Sequence, residues 1–116
     1  MSDKPLADRL QVKKERRLAL ADSPLCVDAP AAPLKEAEVV VQFLRNRTEF
    51  DAKMPALLKL IRADAILWVA YPKLTSKLAG DLNRDIIHGA SPAFGIDCVS
   101  QIAIDEDWSA MRMKRI

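Results

Sequence analysis

Only three glycines occur in the 116 residues, and all of them fall between Gly80 and Gly95. None follows the first apolar segment, where a dinucleotide or adenosyl fingerprint needs backbone close to the ligand. No glycine-rich run ends in Gly-Lys-Ser or Gly-Lys-Thr either, which excludes P-loop nucleotide chemistry, and Lys77 behind Thr75-Ser76 does not replace it. Histidine occurs once, at His88, with neither cysteine near it in sequence, so a zinc site lacks its usual neighbours. The two cysteines, Cys26 and Cys98, form no CxxC pair and read as buried thiols of a reducing compartment, with a disulfide as the alternative. The apolar run AILWVAY is far shorter than the roughly 18 residues of a membrane span. No charged-then-apolar leader opens the chain, so no secretory signal is expected. These absences predict a cytoplasmic protein with no membrane partner, no metal ligand, no cofactor and no assignable catalytic residue.

What is present has the balance of a soluble domain: 50% hydrophobic and 29% charged residues. A chain of this length forms one domain and can bury roughly 65% of its unfolded surface. The net charge of +2 is unevenly spread. Residues 1–17 hold six basic and three acidic groups, 112–115 add Arg112, Lys114 and Arg115, and the part between is acidic. Basic ends could touch a phosphate backbone, but no aromatic residue is interleaved with them, so nucleic acid is not the expected partner.

Along the chain, SDKPLADRLQV opens with Ser2 or Asp3 as cap and Pro5 in a first turn, which predicts a short helix. LALA (18–21), closed by Asp22-Ser23-Pro24, reads as a first strand, and Pro24, Pro30 and Pro33 make the next stretch irregular. EVVVQFL (38–44) is a nearly continuous β-branched run, as in strands covered on both faces. Thr48 with Asp51 fits a capping box ahead of the stripe Phe50, Met54, Leu57, Leu58, Ile61, in which Pro55 should kink or restart the helix. Residues 65–71 read as a buried strand around Trp68, and DLNRDIIHGA (81–90) as a second helix with Leu82, Ile86 and Ala90 inward. His88 is off that stripe and is expected on the surface. Cys98–Ile104 and Trp108–Lys114 form a hairpin around Asp105-Glu106-Asp107. In the last strand Met111 and Met113 alternate with Arg112 and Lys114, giving one apolar and one basic face, with self-association of an edge as a sharper alternative.

This order predicts an α/β fold, a small three-layer Rossmann-like sheet of about five strands. It is mostly parallel, with an antiparallel C-terminal hairpin. Residues 1–16 form a basic N-terminal segment and 17–116 a single domain. In such sheets ligands gather beyond the carboxyl ends of the strands. Arg45, Arg47, Lys73, Thr75, Ser76 and Lys77 stand at those ends and suit an anionic small molecule, aided by amides at the start of helix 81–90. The competing reading is ordinary loop polarity, with the cations paired to residues 105–107. Asp81 and Asp85 share a helical face, but Arg84 beside them points to a solvated surface. Trp108, next to the acidic turn, is a candidate exposed anchor for a protein partner.

At LWVAYPK, the Thr-Ser that follows, DLNRD and the closing DEDWSAMRMK, the chain resembles an uncharacterised bacterial family of small α/β proteins, a domain of unknown function. The likeness spans about residues 17–115 and implies a bacterial cytoplasmic protein without an established activity. More remotely, strand–helix–strand–helix–hairpin looks like the second half of a Rossmann-like methyltransferase. Such enzymes hold their methyl donor with the first half, here reduced to one short strand and a proline loop. The function therefore reads as a non-catalytic domain binding a protein partner or an anionic small ligand at the strand ends. A reduced S-adenosylmethionine-dependent enzyme is the alternative.

Overall fold

The structure, a computed structural model, describes residues 6–12, 16–25, 27 and 29–116. The Ser2, Asp3 and Pro5 cap and the Cys26 thiol lie outside the described residues. The elements run α1 (Leu6–Arg9), β1 (Leu18–Ala21), β2 (Val39–Phe43), α2 (Arg47–Leu60), β3 (Ile66–Pro72), α3 (Arg84–Ala90), a 3₁₀ turn (Ser91–Phe94), β4 (Ile96–Ala103) and β5 (Trp108–Arg115).

The five strands form one sheet in the order β1-β2-β3-β5-β4. β1, β2 and β3 are parallel, with Leu18 opposite Val39 and Val39 opposite Ile66. β5 runs antiparallel to both neighbours, so β4 points the same way as β3. The mostly parallel Rossmann-like sheet with a closing antiparallel hairpin is thus the fold. All four forward strands deliver their carboxyl ends to one edge, and the acidic turn after β4 joins them there.

The chain steps from β2 to β3 to β4 in one direction across the sheet. Right-handed crossovers then place both connecting helices on the same face. Phe50, Met54 and Leu57 of α2 and Ile87 of α3 share a core with Val40, Leu67, Val69, Tyr71, Met111 and Met113. The opposite face carries Val39, Val41, Phe43, Trp68, Ala70 and Trp108, covered by Leu10 and Val12 with Leu6 and Ala7 of α1 alongside. Strand side chains alternate between these two cores, which is why 39–43 and 66–72 read as unbroken apolar runs.

Local chemistry sets the boundaries. The Asn46 side chain, not Thr48, caps α2 by accepting from the Glu49 amide at 2.8 Å, and Glu49 Oε1 accepts from the Arg45 amide at 2.9 Å. Reciprocal capping therefore sits two residues earlier than the Thr48–Asp51 spacing predicts, because Asn46 in extended conformation is the better cap. Pro55 is carried inside the fourteen-residue α2 rather than ending it. It lies on the exposed face, where water can satisfy the carbonyl its ring leaves unbonded. In α3 the buried residue is Ile87, with Ile86 and Ala90 only partly covered, since the helix starts at Arg84 and Leu82 packs ahead of it. Gly95 closes the 3₁₀ turn at φ 79°, a left-handed conformation that glycine adopts without strain.

Pro72 is the last residue of β3, opposite Trp108. The Leu44 amide bonds Ala70 O and the Lys73 amide bonds Asp107 O, so by alternation the side of Pro72 that lacks an N–H faces β2. β2 ends at Phe43, and the parallel ladder stops just after it, at Leu44, where Pro72 offers no donor. β5 is an interior strand, so the edge open to association on this side is β4 and not the Met/basic strand.

Candidate ligand rim

The carboxyl ends of β1, β2, β3 and β4 bring residues 22–23, 45–47, 73–77 and 104–107 to one rim. Among the described residues, recesses open at the ends of β1 and β2 and at the end of β3. The first, about 270 Å³, lies at the ends of β1 and β2 and is lined by Asp22, Ser23, Phe43, Arg45, Glu49 and Lys53. The second, about 330 Å³, lies at the end of β3, where Lys73, Leu74 and Thr75 face Asn83, Arg84 and Asp85 over a floor of Tyr71, Gln101 and Ser109.

The first recess is internally neutralised. Asp22, at φ 55° directly after β1, accepts from Lys53 Nζ at 2.8 Å and from Gln42 Nε2 at 2.8 Å. The Lys53 hydrogen bond, then that from Gln42, holds the Asp22 carboxyl below its ordinary range. Gln42 is 4% exposed, the one polar side chain of β2, and its amide also donates to the Phe43 carbonyl at 3.0 Å. A glutamine in an otherwise apolar strand was the sequence signal for this cluster.

The second recess is different. The acidic turn is engaged with itself and with Ser76 rather than with Lys73. Asp105 Oδ1 accepts from the amides of Asp107 and Trp108 at 2.8 and 2.9 Å, and Ser76 Oγ donates to Asp107 Oδ1 at 2.7 Å. Lys73 gives only its backbone amide to Asp107 O, at 2.8 Å. Its ammonium makes no ion pair among the described residues. Arg84 reaches only its neighbour Asp85, at 3.5 Å between exposed side chains. Beneath them the Tyr71 hydroxyl accepts from Gln101 Nε2 at 2.9 Å, and burial pushes the phenol up from its usual value.

The sequence-selected residues therefore part company. Lys73 and Thr75 line the second recess and Arg45 the first. Arg47 is held by Asp51 at 3.0 Å, Ser76 is a bracket for the turn, and Lys77 lines neither recess. Trp108 is only 5% exposed and stands edge-on to Phe43 with ring centroids 5.1 Å apart. It is a wall of the second core and not an exposed anchor, because the antiparallel pairing with Pro72 turns it onto that face. The amides of helix 81–90 contribute less than expected: α3 has seven residues, and Asn83 Oδ1 already accepts from the Ile86 amide at 3.0 Å. Arg84, Gln101 and Ser109 were missed, since only the tertiary arrangement of α3 and the hairpin around the end of β3 brings them beside Lys73. His88 is exposed. No cluster of three metal-ligating side chains occurs among the described residues.

No family model matches the chain, and no curated protein matches it. Solved structures do match. The mitomycin 7-O-methyltransferase MmcR aligns at TM-score 0.55 and 8% identity, over 76% of this chain and 33% of that one. LepI in complex with SAM aligns at TM-score 0.58 and 8% identity, over 96% of this chain and 39% of that one. A ribosomal protein L11 methylase from Lactobacillus delbrueckii subsp. bulgaricus gives TM-score 0.50 and 11% identity, over 94% and 65%. The chain spans a third to two fifths of the first two proteins and under two thirds of the third. At such identities the likeness is one of fold, and it agrees with the remote similarity to methyltransferases expected from the element order.

Proposed function

We propose that this chain is a small non-catalytic α/β domain that binds an anionic small molecule in the recess at the end of β3. The observation that carries the reading is the pairing of chemistries there. Lys73 and Arg84 line a concavity of about 330 Å³, while Asp105 and Asp107 of the adjoining turn are bonded to backbone and to Ser76. Lys73, whose ammonium makes no ion pair among the described residues, and Arg84, held only by an exposed 3.5 Å contact with Asp85, suit a phosphate or carboxylate, and the hydroxyls of Thr75 and Tyr71 can orient it. A bacterial cytoplasmic setting goes with this reading, implied by the resemblance at LWVAYPK and DLNRD. Titration of the labelled chain with inorganic phosphate, pyrophosphate and adenosine monophosphate tests it by NMR. Amide shifts centred on Lys73, Thr75, Arg84 and Gln101 are expected, with about tenfold weaker binding in Lys73→Gln or Arg84→Gln. An unchanged spectrum across the panel rejects it.

The second reading, a reduced S-adenosylmethionine-dependent enzyme, is favoured by the fold shared with LepI, whose structure holds SAM. The end of β1 speaks against it. Asp22 there is tied to Lys53 and Gln42, and no glycine lets a cofactor approach the backbone. Calorimetry with S-adenosylmethionine separates the two: an absence of heat at millimolar ligand removes the enzyme.

A further inference from the structure

The recess at the end of β3 holds a pattern of charges and not merely an excess of one sign. Its charged lining is Lys73, from the loop after β3, and Arg84 with Asp85, from the start of α3. The two α3 charges are neighbours, 3.5 Å apart between side chains that are 63% and 86% exposed. Water weakens a contact of that kind, and a ligand can replace it. Lys73 comes from the opposite wall, with no ion pair among the described residues.

The floor between these walls is polar but uncharged. Tyr71 and Ser109 are cross-strand partners, 3% and 6% exposed, and the Tyr71 hydroxyl accepts from Gln101 Nε2 at 2.9 Å. Burial raises the phenol further above its usual value, so it stays protonated at neutral pH. Tyr71 points to the face on which α3 packs, which is why the floor and the two charged walls open onto one space.

We propose that this recess takes an amino dicarboxylate, an acidic amino acid of the glutamate or aspartate class; the inference rests on the anion reading of the same site. Charge complementarity selects the class. Two carboxylates and one ammonium on the ligand mirror two cations and one acid on the lining. The α-carboxylate and α-ammonium share one carbon, as Arg84 and Asp85 lie side by side, and the distal carboxylate crosses to Lys73. A phosphate dianion would set like charge against Asp85, and a plain dicarboxylate would leave that acid unanswered. The volume, about 330 Å³, lies at the small end of ligand sites, as a compact molecule requires.

The test titrates the full labelled chain with L-glutamate, L-aspartate, glutarate, L-glutamine and inorganic phosphate, followed by NMR. Amide shifts at Lys73, Thr75, Arg84 and Gln101 are expected, with glutamate or aspartate the tightest of the five. Glutarate lacks the ammonium and glutamine the distal charge, and each should bind about fivefold more weakly. Asp85→Asn should abolish the preference for glutamate over glutarate while binding glutarate at least as well as the parent does. Equal or tighter binding of glutarate, glutamine or phosphate to the parent overturns the proposal, while shifts from phosphate at the same amides leave the anion reading standing. A preference for glutamate that survives in Asp85→Asn also overturns it. Silence from all five ligands removes both readings.

Discussion

The indole Nε1 of Trp68 donates to the carbonyl of Leu10 at 3.0 Å, joining the middle of the central strand to the N-terminal segment 58 residues earlier. Both residues are at most 2% exposed. The short α1 is too small to be stable alone, so this contact and the burial of Leu10 explain why the segment lies on the sheet. Leu10→Ala should cost about 2–4 kcal/mol, read as a fall in urea midpoint without change in slope. A loss under 0.5 kcal/mol would show that residues 6–12 are ornamental to the domain.

Acid stability should hinge on Glu38. Its carboxyl is pulled down to about 2, first by the hydrogen bond from the Arg17 guanidinium and then by the Arg17 amide at 2.8 Å, with Arg62 at 2.9 Å adding its charge. A folded-state value below the unfolded one gives stability that is complete above about 4.5 and lost as pH falls toward about 2. Thermal melts between pH 2 and pH 6 should therefore show a steeper acid limb for the parent than for Glu38→Gln. Parallel limbs would remove Glu38 from the explanation.

Pro55 interrupts the hydrogen-bond ladder of α2 from its exposed side. Pro55→Ala restores an amide facing the Asp51 carbonyl and should raise stability by about 1–2 kcal/mol, after allowance for the looser unfolded chain. Chemical denaturation measures it, and a destabilised variant would mean that the proline is matched to its neighbours.

Ser76 holds the loop after β3 in two ways, donating to Asp107 at 2.7 Å and accepting from the Leu78 amide at 3.0 Å. Ser76→Ala should cost about 1 kcal/mol. It should also speed amide exchange at Leu78 more than in the β3 ladder. Uniform acceleration across both would point to global rather than local opening.

By itself the sequence determined the elements and their direction. LALA, VVVQF and ILWVAYP became β1, β2 and β3 because continuous apolar runs of this length need cover on both faces. The DED turn made the hairpin, and the scarcity of glycine removed the nucleotide fingerprints. Helix starts were less legible: Thr48 and Asn46 both satisfy a capping pattern, and the extended backbone at Asn46 chose between them. Only the tertiary structure decided the rim. It turned Trp108 inward against Phe43, tied Arg47 to Asp51 and Ser76 to Asp107, and set Arg84 and Gln101 beside Lys73. The reason is geometric. Propensity and periodicity are properties of neighbours along the chain, whereas a recess is assembled from strands tens of residues apart, whose register sets which polar groups meet.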